Sequence, residues 1–211
     1  MEISKLHYIT QNLPNIPHWE QAEKACLGGA NWVQLRVKNT AFEEWKAIAI
    51  RTQEICKRFN ATLIINDNPL IAKEINANGV HLGKTDTNPL HARELLGDGF
   101  IIGATANTIE DLRALHEMPI NYVGCGPYRF TKTKENLSPI VGLEGYQKMM
   151  AQCKAEELNL PVVGIGGVLQ ADVPFLLSAG LYGIAVSSVI NCSENPTEIT
   201  KEFLTLLTSE Y

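Results

Sequence analysis

Several features are missing from this sequence, and each absence argues against a class of protein. No apolar run is long enough to span a bilayer, and the first residues lack the basic and apolar regions of a signal peptide. Positive charge is not in excess, because the formal net charge is −5, which argues against nucleic acid as the main partner. We therefore expect a cytoplasmic protein with no membrane and no nucleic-acid partner.

Cysteine is sparse and odd in number, and no two cysteines form a C-x-x-C pair. The five are Cys26, Cys56, Cys125, Cys153 and Cys192. This pattern indicates reduced thiols, and it argues against both a zinc site and a disulfide framework. Linkers rich in Pro, Gly and Ser are also missing, as are low-complexity segments. We therefore place no domain boundary and expect one domain over residues 1–211.

Short apolar runs alternate with amphipathic stretches along the whole chain. The predicted strands are Leu6–Thr10, Trp32–Arg36, Thr62–Asn66, Val80–Leu82, Ile101–Thr105, Tyr122–Gly126, Val162–Gly166 and Gly183–Val186. The predicted helices lie near His18–Leu27, Phe42–Phe59, Asn68–Ala77, Asn88–Leu96, Thr108–His116, Leu143–Leu158, Ala171–Ala179 and Thr197–Leu207. Thr40 followed by Glu43 is typical of a capping box at the start of the second helix.

Eight strand–helix pairs predict an α/β protein with a single (β/α)₈ TIM barrel. An open doubly wound sheet is the alternative. No G-x-G-x-x-G follows the first strand, so the main signal for a dinucleotide site is missing. In a barrel the functional residues are expected on the loops that follow the strands.

Polar side chains gather after the second, third and fourth predicted strands. Gln34, Arg36 and Lys38 share one face of the second strand, because side chains alternate across a strand. Val33, Leu35 and Val37 would then face the helices, and two cations and an amide would face the barrel mouth. Because uncompensated charge is costly in a barrel interior, this predicts a bound anion. An ordinary strand end with solvated cations is the alternative.

Two aspartates, Asp67 and Asp86, follow the third and fourth strands. Carboxylates on adjacent loops can share a magnesium ion, which is typically held by one or two carboxylates together with substrate phosphates. For either aspartate alone, a turn or helix cap is the better interpretation.

The last three strands are followed by groups suited to a phosphate. Thr131, Thr133, Lys132 and Lys134 bring hydroxyl and ammonium donors to the sixth loop. Gly164–Val168 lets backbone N–H groups approach an anion closely, and Ser187-Ser188 follows the eighth strand. Phosphate sites of such barrels are commonly built from the loops after strands seven and eight.

Covalent catalysis is not indicated by the pattern of reactive side chains. His81, inside the fourth strand, is expected to be a core histidine. Cys125, between two glycines, is expected to be a small buried residue and not a nucleophile. No Ser/His/Asp or Cys/His pairing stands out.

Seven short motifs, in order and over nearly the whole chain, resemble the thiamine-phosphate synthase family. They are Gln34–Lys38, Asn66-Asp67, Gly79–Asp86, Ile102–Thr105, Gly126-Pro127 with Thr131–Lys134, Ile165–Val168 and Ser187-Ser188. The resemblance implies a Mg²⁺-dependent transferase of thiamine biosynthesis. Its substrates would be two phosphorylated small molecules, hydroxymethylpyrimidine diphosphate and thiazole phosphate, joined to thiamine monophosphate with release of diphosphate.

The resemblance also implies a role for each matching residue. The diphosphate would be held by Gln34, Arg36, Lys38, Asn66 and Lys134, with Thr105 in place of the family's serine. Among these, Arg36, Lys38 and Lys134 would be catalytic, because they stabilise negative charge on the leaving group. Asp67 and Asp86 would hold magnesium. The thiazole phosphate would be held by Thr131, Thr133, Gly167, Ser187 and Ser188.

Some positions depart from the family pattern, chiefly where the two organic rings would lie. Lys84 stands where the family usually has Gln, Gln11 replaces an Asp, and Arg129-Phe130 replace an aromatic–proline pair. The related thiazole tautomerase is the nearest alternative, but its catalytic histidine is matched by Asn107, an amide that cannot shuttle protons. A non-catalytic binder of a phosphorylated metabolite and a sugar-phosphate enzyme are the others. The sequence leaves the oligomeric state open, a homo-oligomer included.

Overall fold

A computed structural model describes residues 3–130 and 139–209, and its strands close into a barrel. The strands are β1 Leu6–Ile9, β2 Trp32–Leu35, β3 Thr62–Asn66, β4 Gly79–Leu82, β5 Ile101–Ala106, β6 Tyr122–Cys125, β7 Val162–Ile165 and β8 Gly183–Val186. Each strand pairs in parallel with its neighbour in the chain, and β8 pairs with β1 through the register His7 to Ala185. The predicted barrel is therefore confirmed, and the open sheet is excluded.

Helices follow the strands in the order the sequence predicts. Within the described residues they are α1 His18–Leu27, α2 Phe42–Arg58, α3 Pro69–Glu74, α4 Pro89–Leu96, α5 Ile109–His116, α6 Gly142–Ala155, α7 Val173–Ser178, α8 Ser188–Asn191 and α9 Pro196–Thr208. The short helix α8, directly after β8, was not predicted. None of the helices described here is long and apolar enough to cross a membrane.

Side chains alternate between the barrel interior and the surrounding helices along each strand. The interior holds a small cluster of apolar side chains from seven strands: Ile9, Trp32, Ile64, Ile101, Tyr122, Val163 and Ala185. Val33, Leu35 and Val37 pack instead in the larger cluster with helix residues. Gln34 therefore shares the inward face of β2 with Trp32. This agrees with the sequence prediction that the Gln34 side chain points into the barrel.

The start of α2 differs from the prediction. The residue before the helix is Ala41, which makes no side-chain capping bond, and the Thr40 hydroxyl instead donates to the Lys38 carbonyl oxygen. A capping box does occur at α5, where Thr108 and Asp111 bond each other's backbone N–H groups. The capping prediction at Thr40 was wrong because its hydroxyl binds the preceding loop.

All five thiols are free, four of them buried and Cys192 exposed. Burial raises the pKa of Cys125 to about 12. Because the thiolate is the reactive form, this cysteine is unreactive near neutral pH, and the expectation of a small buried residue is confirmed.

Candidate active site

The ends of β2, β3 and β4 bring acidic and basic side chains into contact. The Lys38 ammonium group forms an ion pair with Asp67, and the Asp67 N–H donates to the His81 carbonyl oxygen at 2.8 Å. Asp67 has a φ of 62°, a left-handed conformation that is uncommon for residues other than glycine. Strained backbone of this kind is often found at functional sites.

The carboxyl groups of Asp67 and Asp86 are hydrogen-bonded to each other. Burial and the neighbouring Asp67 raise the pKa of Asp86. Burial also opposes ionisation of Asp67, but hydrogen bonds to Asp86 and Lys38 outweigh it and lower the pKa of Asp67. The pKa values of the two carboxyl groups are thus pushed apart, and Asp67 is the more readily ionised of the pair.

These two carboxylates fit a magnesium site only together with further oxygen ligands. Among residues 3–130 and 139–209, no group of three or more His, Cys, Asp and Glu side chains could hold a metal. Magnesium is commonly bound through one or two carboxylates plus substrate phosphates. A cation here would neutralise the charge of both carboxylates and leave positions for phosphate oxygens.

Asn66 and Gln34 line the same end of the barrel from below. The Asn66 Nδ2 atom is buried and has no hydrogen-bond partner among the described residues. Buried amide donors are rarely left unsatisfied, so this one suits a ligand oxygen. Gln34 is 2% exposed, and its amide nitrogen lies 3.5 Å from His7 Nε2.

Arg36 is half-buried at the end of β2 and is attached to the end of β1. Its backbone N–H donates to Thr10 Oγ1 at 3.1 Å, and Thr10 Oγ1 lies 2.8 Å from His18 Nδ1. Burial and the charge of Arg36 lower the pKa of His18 to about 4. The sequence carried no signal for His18, because a single histidine at a helix start has no distinctive spacing.

Thr105 is on the inward face of β5, and its hydroxyl lies 3.1 Å from His81 Nε2. The prediction that His81 is buried is confirmed, since it is 9% exposed. Its ring, however, lies within hydrogen-bond distance of a predicted site residue. The Asn107 amide donates to the Gly126 carbonyl oxygen and so links the loops after β5 and β6.

The loop after β7 is glycine-rich and packs beneath the loop after β6. Gly166 and Gly167 have φ values of 101° and 69°, and a Cβ at Gly167 would lie 2.4 Å from Arg129 Cγ. The Arg129 N–H donates to the Gly166 carbonyl oxygen at 3.0 Å. Only glycine combines this conformation with so close an approach.

Ser187 and Ser188 lie after β8, where α8 begins. The Ser187 hydroxyl donates to Gln11 Oε1 at 3.2 Å and lies 3.2 Å from Asn191 Nδ2. Ser188 is exposed. Gln11 from the β1 loop is therefore part of this half of the rim. Thr131 and Thr133, predicted to bind the same phosphate, and Lys134, predicted to bind the diphosphate, lie outside the described residues.

Both cations that depart from the family pattern have partners within the protein. Lys84 Nζ lies 2.7 and 2.8 Å from the two carboxylate oxygens of Asp111. Arg129 forms an ion pair of 2.6 Å with Asp172. The charge of Lys84 is therefore neutralised by Asp111 on the loop after β5.

The closed (β/α)₈ barrel, with ionisable side chains gathered at the carboxyl ends of its strands, defines the class of protein as a barrel enzyme. The chain belongs to the thiamine monophosphate synthase family, whose sequence profile matches residues 6–190. The expected family, and with it a transferase of thiamine biosynthesis, is thereby confirmed over the alternatives.

Known proteins similar to this chain carry names that agree with this family. A thiamine-phosphate synthase of Bacteroides fragilis is 43% identical over 201 residues, covering 95% of this chain and 98% of that protein. A thiamine-phosphate synthase of Phocaeicola vulgatus is 42% identical over 202 residues, covering 96% of this chain and 97% of that protein. The solved structure of thiamine phosphate pyrophosphorylase from Pyrococcus furiosus superposes with a TM-score of 0.84 at 28% identity, covering 96% of this chain and 95% of that one.

Proposed function

We propose that this protein catalyses the Mg²⁺-dependent condensation of hydroxymethylpyrimidine diphosphate with thiazole phosphate. In this reaction the bond between the pyrimidine methylene carbon and the diphosphate oxygen breaks. The thiazole nitrogen forms a bond to the same carbon, and thiamine monophosphate and diphosphate leave. The observation that carries the proposal is the cluster of Lys38, Asp67 and Asp86 beside the Asn66 Nδ2 atom, which has no hydrogen-bond partner among the described residues.

The diphosphate half of the site supplies positive charge and hydrogen-bond donors. Arg36 and Lys38 would stabilise the negative charge that develops on the leaving oxygen. Asn66 and Thr105 would donate to phosphate oxygens, with Gln34 at the floor of the site. When bound by Asp67 and Asp86, magnesium would supply charge neutralisation on the diphosphate. Lys134, by family resemblance, would complete this set.

The thiazole half of the site positions the attacking nitrogen. The backbone of Gly167 and the hydroxyls of Ser187 and Ser188 would hold the phosphate of the thiazole substrate. Thr131 and Thr133 would do the same by family resemblance. Holding both substrates in line turns the reaction between two molecules into a step within one complex. The proposal needs no protein nucleophile.

Diphosphate release tests this proposal directly. We expect release only when both substrates and Mg²⁺ are present. Asp67→Asn should lower kcat/KM by about 100-fold or more, because charge stabilisation in such sites contributes several kcal/mol. Asp98→Asn, an exposed aspartate in the loop before β5, is the matched control and should keep full activity.

Other outcomes would point to other functions. Full activity of Asp67→Asn, or equal activity without Mg²⁺, would contradict the proposed metal site. Isomerisation of the thiazole without the pyrimidine substrate would favour a tautomerase. Saturable binding with no turnover would favour a regulator.

A further inference from the structure

A buried hydrogen-bonded layer lies inside the barrel next to Thr105. Tyr122 is completely buried and His81 nearly so, and their rings stack with centroids 5.4 Å apart. A Cβ at Gly103 would lie 2.1 Å from the Tyr122 ring, so this glycine makes the space that the ring occupies. The proposed chemistry gives neither Tyr122 nor His81 a role.

Two hydrogen bonds connect this layer to the site. The Tyr122 hydroxyl lies 3.0 Å from His81 Nδ1, and His81 Nε2 lies 3.1 Å from Thr105 Oγ1. The buried Tyr122 hydroxyl needs an acceptor for its hydrogen, and among the described residues His81 Nδ1 is the side-chain atom within hydrogen-bond distance, so the phenol donates to it. The hydrogen of a neutral His81 ring is then on Nε2, and it donates to Thr105 Oγ1.

The direction of these bonds decides what Thr105 can offer to a ligand. When its oxygen accepts from His81, its own hydrogen is free to donate to an anion. If His81 carried its hydrogen on Nδ1, Nε2 would instead accept the Thr105 hydrogen, and the hydroxyl would present lone pairs to the anion. Only the first arrangement suits a phosphate oxygen.

We propose that Tyr122 and His81 are positioning residues that hold the Thr105 hydroxyl as a donor to the diphosphate group of the substrate. The inference rests on the proposed function, since it deepens the role of the diphosphate site. Tyr122 sets the tautomer of His81, and His81 sets the orientation of Thr105. Neither residue touches the substrate.

Tyr122→Phe removes the hydroxyl that sets the tautomer while keeping the ring. We expect kcat/KM for diphosphate release to fall about 10-fold, which is typical for the loss of one hydrogen bond to a charged group. Tyr146→Phe is the matched control, because this tyrosine is equally buried and its hydroxyl donates to the Cys125 carbonyl oxygen at 2.6 Å, away from Thr105. It should retain wild-type kcat/KM.

Combining Tyr122→Phe with substitutions of Thr105 separates an effect on the Thr105 hydroxyl from a general structural effect. In Thr105→Ala the hydroxyl is gone, so adding Tyr122→Phe should cause no further loss. In Thr105→Ser the hydroxyl remains, so adding Tyr122→Phe should again lower kcat/KM about 10-fold. An equal loss in the Thr105→Ala background, or the same loss in Tyr146→Phe, would overturn the proposal.

Nitrogen-15 NMR of the histidine side chains tests the bond directions without any activity assay. The wild-type His81 signal, assigned by its disappearance in His81→Gln, should show hydrogen on Nε2, and in Tyr122→Phe it should shift towards the other tautomer. Hydrogen on Nδ1 in the wild type would contradict the inference even if Tyr122→Phe fails to fold. If the wild-type enzyme releases no diphosphate, the proposed function fails, whereas an active enzyme with the wrong tautomer overturns this inference alone.

Discussion

At the scale of single residues, two histidines inside the rim stay neutral for the same reason. Burial lowers the pKa of His7 well below its usual value. Burial and the charge of Arg36 lower the pKa of His18 to about 4. Both rings thus keep a nitrogen lone pair for hydrogen bonding. His18 Nδ1 lies 2.8 Å from Thr10 Oγ1, which accepts from the Arg36 backbone N–H.

The pKa of His18 predicts a loss of stability in mild acid. The unfolded chain binds a proton at about pH 6.5, whereas the folded chain resists it until about pH 4. The stabilising contribution is therefore complete above pH 6.5 and falls as the pH drops to 4, by about 3 kcal/mol in total. Urea unfolding of the wild type and of His18→Asn between pH 7 and pH 4 measures this change in the free energy of unfolding.

The comparison isolates His18 because His7 is present in both proteins. The wild type should lose more of its free energy of unfolding than His18→Asn over this range. Parallel pH profiles for the two proteins would show that His18 does not hold this low pKa.

At the scale of elements, the carboxylate of Asp172 adds side-chain hydrogen bonds to the backbone bonds that join the loops after β6 and β7. Asp172, 9% exposed, accepts from Arg129 at 2.6 Å, from the Tyr128 hydroxyl at 3.3 Å and from the Leu169 N–H at 2.8 Å. Because Arg129 also packs over Gly167, Asp172 holds the glycine loop in its position.

Asp172→Asn should therefore weaken binding of the thiazole phosphate more than binding of the pyrimidine diphosphate. We expect KM for the thiazole substrate to rise about five-fold, a modest effect because the Arg129 side chain is partly exposed to solvent. Steady-state kinetics with each substrate varied in turn measures it.

Glu156→Gln removes a different ion pair, that of Glu156 with Arg113 at 2.6 Å near the end of α6, and should change neither KM. An equal rise in both KM values for Asp172→Asn would mean that the ion pair supports the whole rim and not the glycine loop.

At the scale of the whole molecule, the barrel closes where β8 meets β1. A Cβ at Gly183 would lie 2.2 Å from the carbonyl oxygen of Lys5, which is backbone and cannot move aside as a side chain can. The Lys5 carbonyl oxygen also accepts from the Ile184 N–H at 2.8 Å. Closure thus depends on a glycine at this seam.

Gly183→Ala should lower the free energy of unfolding by about 3 kcal/mol, the upper part of the range for overpacked cores. For a chain of this size the Tm should fall by about 10 °C. Thermal unfolding followed by circular dichroism measures it. Gly99→Ala is the control, since no atom lies within 4 Å of a Cβ there. A Tm equal to that of Gly99→Ala would contradict the importance of the seam.

Much of the fold was predictable because it depends on local patterns. Parallel strands buried on both faces are short apolar runs, and eight of them alternating with helices indicate the barrel. The rim was predictable for a related reason, since all strands of such a barrel end on one side. Asp67 and Asp86 could therefore be expected to lie close together although they follow different strands.

Contacts between side chains of different strands could not be predicted. The Tyr122–His81–Thr105 bonds depend on the register and stagger of β4, β5 and β6. Lys84 pairs with Asp111, and the Thr40 hydroxyl donates to the Lys38 carbonyl oxygen. Both contacts depend on loop conformation, which leaves no periodic pattern in the sequence.

By itself, then, the sequence determined the order of strands and helices, which side chains of β2 face the barrel interior, and which end of the barrel carries polar groups. Each of these follows from spacing along the chain. Only the tertiary structure decided which partner each polar side chain takes. That choice is made by distances of a few ångströms across the barrel, and for His18, Tyr122 and Asp172 nothing in their sequence neighbours specifies it.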